Sequence, residues 1–215
     1  MTIRYGLAAF ENDLRAILGR ASDFRQIIEE ARPLFRQLLD DDELVPEAYR
    51  QPLPDKYAQY LLYKPEDNAF SVVAFVWGPG QTAPVHDHLT WGLVGVWRGG
   101  IEEKRYRRTR IEDGRQEAYK LQEVQTVRAS QGDISYVYPP DRDIHGVSNP
   151  FDDTAITVHV YGTDIGQQQR FIYDTDSADA RPVVTRHANA QPIYAAGALP
   201  DRDVPAGRSG LRKEG

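Results

Sequence analysis

The chain of 215 residues contains no cysteine. That absence excludes disulfides, thiolate zinc sites and thiol nucleophiles together. Any metal must rest on imidazole or carboxylate, and only five histidines are present. Long apolar runs are also missing, so no segment reads as a membrane-spanning helix. Positive charge is in deficit, with 26 Lys and Arg against 32 Asp and Glu, a formal net charge of −6. Nucleic acid and anionic membrane both call for a basic face, so neither is expected as a partner. The opening residues Met1-Thr2-Ile3-Arg4 lack the apolar stretch of a signal peptide, and a cytoplasmic location is the expectation. What is there, 40% hydrophobic and 27% charged, is ordinary for a globular protein of one domain.

Two patterns divide the chain. Over residues 7–50, apolar residues recur at steps of three and four, among them Leu14, Ile17, Phe24, Ile27, Ile28, Ala31, Phe35 and Leu38. This period predicts helices, with Ser22 or Asp23 as a cap and Pro33 as a kink or restart. From residue 57 the pattern changes to short β-type runs at 57–63, 70–77, 93–97, 101–107, 117–127, 134–137, 144–148, 154–161 and 169–173. Gly78-Pro79-Gly80, Gly99-Gly100, Gly114 and Asn149-Pro150 punctuate them. Many short strands without helical crossovers predict an antiparallel sandwich or barrel. The expected organisation is a single structural domain. Residues 1–50 form a helical segment packed on a barrel of 51–175, and 176–215 form an extended tail that wraps it.

The histidines are not scattered. Gly80-Gln-Thr-Ala-Pro-Val-His86-Asp-His88 places two imidazoles two residues apart, a spacing that puts both on one face of a strand. A second block, Gly132-Asp-Ile-Ser-Tyr-Val-Tyr-Pro139-Pro140-Asp-Arg-Asp-Ile-His145, runs from a glycine through a proline turn to one further histidine. In order, spacing and separation the two blocks resemble the paired motifs of the cupin superfamily. That resemblance implies a mainly β fold, a double-stranded β-helix (jelly-roll) barrel, with His86, His88 and His145 as metal ligands. Most metal cupins add a Glu a few residues after the second His. Here the stretch reads His88-Leu-Thr-Trp91-Gly92-Leu93, and Glu102 and Glu103 lie too far along to replace it. Three neutral imidazoles leave about three positions of an octahedral ion open, which suits a redox metal binding both a substrate and O2.

Thr157-Val-His159-Val-Tyr161 alternates in the same way, setting Thr157, His159 and Tyr161 on one face. With that strand the chain is similar to the thiol dioxygenases of the cysteine dioxygenase family. The resemblance covers roughly residues 50–175. It implies an iron(II) enzyme that adds both atoms of O2 to a small thiol to give a sulfinic acid. It also implies a relay in which the residue 157 hydroxyl orients His159, and His159 orients a Tyr161 hydroxyl facing the substrate and oxygen. Thr157 stands where the family has Ser.

Two departures bear on the thiol. Animal-type members carry a Cys that crosslinks to the active-site Tyr, and Gly92 occupies that place here. Cysteine-specific members clamp the amino-acid carboxylate with an Arg, where this chain has Gln59 in Tyr57-Ala-Gln59-Tyr60. A neutral amide cannot make that bidentate pairing. The pattern resembles the bacterial Gln-type members, which implies 3-mercaptopropionate as substrate, with L-cysteine next. Arg170, nine residues past Tyr161, is the residue implicated at the carboxylate. Trp91 is expected to wall the substrate pocket and Trp77 chiefly to pack in the core. His187 has no motif around it and reads as a surface or interface histidine. Two other readings stay open: another metal-dependent cupin oxygenase or isomerase, and a non-catalytic cupin that binds a small ligand. Oligomeric state is not legible.

Overall fold

The computed structural model describes residues 5–112, 117–177 and 179–195. Two helices come first, α1 (Leu7–Leu18) and α2 (Phe24–Leu39), then a 3-10 turn at Glu47–Tyr49. Eleven strands follow among the described residues: β1 (Ala58–Tyr63), β2 (Ser71–Trp77), β3 (Thr82–His86), β4 (Gly92–Arg98), β5 (Gly100–Glu112), β6 (Glu117–Ser130), β7 (Ile134–Val137), β8 (His145–Ser148), β9 (Ala155–Tyr161), β10 (Arg170–Tyr173) and β11 (Ala180–Val183). They form two antiparallel sheets, ordered β1-β2-β9-β4-β7 and β11-β10-β3-β8-β5-β6. From β2 to β10 the chain passes back and forth between the two sheets, interrupted only by the β5–β6 hairpin, and this is the double-stranded β-helix.

The helices begin and persist for local reasons. Asp23, not Ser22, caps α2, its Oδ1 accepting from the backbone N–H groups of Arg25 and Gln26 at 3.0 Å. Of the two expectations at Pro33, a kink or a restart, the restart does not occur, because α2 runs through it to Leu39. The proline ring lies on the exposed side, where water can take the carbonyl it frees. On the opposite side Ile27, Ile28, Ala31, Phe35, Leu38 and Leu39 are buried and hold the turn in place.

That apolar face packs on the outside of the five-stranded sheet. Each central strand of this sheet therefore has two buried faces. In β2, Val72, Ala74 and Val76 join the helices in one core, while Val73, Phe75 and Trp77 face the barrel interior. In β9, Ile156, Val158 and Val160 face the helices. Thr157, His159 and Tyr161 alternate with them and so point inward. Gly95 of β4 marks the closest helix approach, since a Cβ there would lie 2.4 Å from Leu39 Cδ1 and 2.9 Å from Phe35 Cε1.

The segment after Tyr173 is more ordered than a structureless tail. Residues 180–183 add β11 to β10, and later residues run along the outer edge of β1. Ala188, Ile193 and Tyr194 donate their N–H groups to Gln59, Leu61 and Leu62 carbonyls at 2.7, 3.1 and 2.8 Å. Asn189 accepts from Leu61 N–H and donates back to its carbonyl. An edge that would otherwise offer unpaired groups is thereby covered. The Gly114 turn and residues 196–215 of the tail lie outside the described residues.

Candidate metal centre and substrate pocket

Strand pairing assembles the three histidines. Register sets His86 of β3 directly opposite His145 of β8, and His88 follows two residues past the end of β3. Their ring centroids stand 4.8, 4.8 and 4.9 Å apart, and their ligand atoms lie within 4.8 Å of one another.

What surrounds the rings decides which nitrogen faces the common point. His86 Nδ1 donates to Pro84 O at 2.8 Å, His88 Nδ1 to Asp143 Oδ1 at 3.0 Å and His145 Nδ1 to Glu103 Oε1 at 2.8 Å. A carbonyl or a carboxylate can only accept, so each Nδ1 carries the proton and each Nε2 keeps a bare lone pair. His88 Nε2 is buried with no hydrogen-bond partner among the described residues. A neutral donor set of imidazole nitrogens with pinned tautomers fits a divalent transition metal.

Sequence reading singled out neither of the two carboxylates that do the pinning. Glu103 is not a ligand; it sits behind His145 and is paired at 3.0 Å with Arg105, which also donates to Tyr136 O. Burial pushes the Glu103 carboxyl up, but the hydrogen bond from His145 and the charge of Arg105 outweigh it, giving a value of about 2. Asp143 accepts from the backbone N–H groups of His88 and Leu89, both at 2.9 Å, and burial lifts its carboxyl to about 6. These bonds hold Leu89 at a φ of 57°, a left-handed conformation that costs ~1–2 kcal/mol for a residue with a side chain. The signal available for both was modest: an acid two residues before His145, and an acid two residues before Arg105 on one strand.

Inside the barrel, Thr157, His159 and Tyr161 form a continuous relay. His159 Nε2 lies 2.8 Å from Thr157 Oγ1, and His159 Nδ1 lies 2.7 Å from the Tyr161 hydroxyl. Trp77 adds a link, its indole N–H donating to Thr157 Oγ1 at 3.0 Å. Two tautomeric arrangements satisfy these distances, and in one of them the phenol donates outward. There Trp77 donates to Thr157, the Thr157 hydroxyl donates to His159 Nε2, His159 Nδ1–H donates to Tyr161, and the Tyr161 proton is left for the pocket. Burial keeps His159 neutral, and burial keeps Tyr161 a protonated phenol. The Tyr161 ring stacks on His88 at 5.3 Å, which ties the relay to the three-histidine cluster. Gly92 lies opposite Tyr161 in the register, and a Cβ there would come within 2.8 Å of Tyr161 Cδ1.

The expected substrate-binding residues divide. Gln59 and Arg170 are buried, at 4% exposure each, and Gln59 Oε1 and Arg170 Nε have no hydrogen-bond partner among the described residues. Gln59 lies opposite Phe75, whose ring is 4.4 Å from His159. Burial above all keeps His86 and His88 neutral and Tyr57 and Tyr161 protonated; the positive charge of Arg170 reaches the cluster, adding to the first effect and opposing the second. Trp91 does not wall the pocket. It belongs to the core shared with the helices and packs over Gly162, because Gly92 takes the inward position beside it. Trp77 is the tryptophan on the interior face. His187 is not a surface residue either. Its side chain is 9% exposed and lies between Gln59 and Asp164.

A family model described as cysteine dioxygenase type I matches residues 19–174. Among solved structures, the chain is similar to an uncharacterised protein with a double-stranded β-helix domain from Klebsiella pneumoniae. The identity is 17%, over 68% of this chain and 93% of that one, with a TM-score of 0.43. A cupin superfamily protein from Desulfitobacterium hafniense matches at 11% identity over 53% and 84% of the two chains, with a TM-score of 0.37. A cupin 2 conserved barrel protein from Salinispora arenicola matches at 21% over 54% and 83%, also with a TM-score of 0.37.

Proposed function

Because the chain belongs to the cysteine dioxygenase type I family, we propose that it oxidises a small thiol to a sulfinic acid at a metal held by His86, His88 and His145. The observation that carries this reading is the set of three Nδ1–H groups already used by Pro84, Asp143 and Glu103, with the orphaned Nε2 of His88 inside. Iron(II) is the ion we assign. Bound there, it would supply a site where a thiolate and O2 meet and exchange electrons. The overall reaction is RSH + O2 → RSO2H. The two oxygen atoms form bonds to sulfur, sulfur gives up four electrons, O2 takes them, and no outside reductant is needed.

The chain's own groups have separate tasks. Tyr161, oriented by His159 and Thr157, donates its hydroxyl proton into the pocket, where it can hydrogen-bond a substrate carboxylate or a partly negative oxygen. Phe75 and Trp77 exclude water from the interior behind His159. Arg170 supplies the buried positive charge for a carboxylate, and its unpartnered Nε supports that role. With Gln59 rather than a second guanidinium beside it, the pocket favours 3-mercaptopropionate, and L-cysteine comes next.

The test is an oxygen electrode run on iron-loaded protein with 3-mercaptopropionate, L-cysteine and cysteamine in turn. Uptake of one O2 per thiol, with kcat/KM highest for 3-mercaptopropionate, is the expected result. A clear preference for cysteine refutes the substrate assignment and leaves the reaction standing. No uptake with any of the three refutes both.

A further inference from the structure

His187 lies beyond the stretch matched to the family, yet its side chain is fastened against a residue of the substrate pocket. Gln59 Nε2 is 3.2 Å from Thr185 O and 3.1 Å from His187 Nδ1. A main-chain carbonyl can only accept, so the atom facing Thr185 must be the amide nitrogen, and this settles which way round the amide sits. On its other side His187 Nε2 is 3.0 Å from Asp164 Oδ1, and Asp164 is paired at 2.7 Å with Lys64. A carboxylate also only accepts. The His187 proton therefore sits on Nε2, leaving Nδ1 bare to accept the second amide hydrogen of Gln59. Both hydrogens of the amide are committed to the tail.

What remains of the amide is its carbonyl oxygen. Gln59 Oε1 is buried and has no partner among the described residues. Its side chain leaves β1 between Tyr57 and Leu61, both of which pack with the barrel interior rather than with the helices. A cavity of about 600 Å³ lined by Tyr57, Gln59, Ile172, Thr185 and His187 opens where the tail meets the barrel. A buried carbonyl held without a donor is a group prepared for one that arrives with a ligand.

We propose that His187 is a specificity-positioning residue, backed by Asp164, that fixes the Gln59 amide with its oxygen toward the thiol so that it accepts from an ammonium or hydroxyl group on the substrate. This deepens the thiol dioxygenase reading and rests on it. Arg170 draws the carboxylate, while the oriented Gln59 carbonyl lets the same pocket accept a thiol that bears an N–H donor. With His187 removed, the amide is free to turn, and ammonium-bearing thiols lose that acceptor whereas 3-mercaptopropionate, which has no such donor, does not.

The experiment has two arms on full-length protein loaded with zinc, a diamagnetic substitute that does not turn over. In the first, dissociation constants of cysteamine and 3-mercaptopropionate are measured by calorimetry for the wild type, His187→Ala, Asp164→Ala and Asp164→Asn. One charge-assisted hydrogen bond corresponds to a roughly 10- to 100-fold loss. Cysteamine should weaken by that factor in His187→Ala and Asp164→Ala while 3-mercaptopropionate changes little and metal content stays constant. Asp164→Asn keeps an acceptor for the imidazole N–H and should restore the ratio, which a simple loss of packing would not do. In the second arm, a long-range 1H–15N spectrum of the imidazoles should show His187 protonated at Nε2. Protonation at Nδ1, or equal weakening of both thiols, overturns the proposal. Should iron-loaded wild type oxidise none of the thiols, the functional reading falls, and these two non-catalytic measurements still decide on His187.

Discussion

Replacing Thr157 by Val tests the interior relay with almost no change of shape. The hydroxyl of Thr157 is fully buried, and it is the shared atom of two hydrogen bonds, from Trp77 Nε1 at 3.0 Å and with His159 Nε2 at 2.8 Å. Valine removes both and leaves two buried polar groups with nothing in reach. Each such orphan costs ~1–3 kcal/mol, and the added methyl recovers part of this, so the net loss should be about 2–4 kcal/mol. For a chain of this length that corresponds to a fall in Tm of roughly 4–16 °C. Thr157→Ser keeps the hydroxyl and loses one methyl, a cost of about 1 kcal/mol. Thermal and urea melts of the three proteins, each with matched metal content, measure the difference. The rate on the preferred thiol should fall in Val and survive in Ser, because only Val releases the imidazole that orients Tyr161. A valine variant as stable and as active as the serine variant would refute the relay.

His145→Ala should abolish metal retention, while His159→Ala should keep metal and lose rate; inductively coupled plasma analysis beside the oxygen electrode separates the two. Gly92→Ala places a Cβ within 2.8 Å of the Tyr161 ring, and the overpacking should cost ~1–3 kcal/mol in a urea melt and displace the phenol, lowering kcat. Glu103 governs acid sensitivity. Its folded value is depressed from 4.5 to about 2, so its contribution is complete above pH 4.5 and disappears as pH falls toward 2. Metal-free Glu103→Gln should therefore show a flatter stability profile than metal-free wild type across that window.

Much of the site was legible because its residues obey a period of two. Thr157, His159 and Tyr161 alternate along β9, and His86 and His88 keep the same spacing although β3 ends at His86. The same rule, applied to Trp91 and Gly92, should have sent Trp91 outward once Gly92 was read as facing Tyr161. Glu103 and Asp143 were hidden for a different reason. They act through contacts across strands and loops, 42 and 55 residues from the imidazoles they hold, and nothing local marks such a contact. His187 is the extreme case, 128 residues from Gln59 in a segment without periodicity. Pro33 misled because its effect on a helix depends on which side of the helix meets water, and tertiary packing determines that. The strands of the hairpin β5–β6 run longer than their apolar content suggests, since charged residues can extend a ladder that solvent surrounds.

Strands β2 and β9 place chemistry on one side and helix contacts on the other, one residue apart. Adjacent positions therefore answer to different selective demands. A change at Val158 alters how firmly the sheet is gripped from outside; a change at His159, its immediate neighbour, alters the hydrogen bonds to Thr157 and Tyr161. Interior substitutions can accumulate without disturbing the helix interface, provided they leave the partners of buried polar atoms intact. Such a scaffold can exchange one substrate for another by altering every second residue, with no adjustment of its exterior.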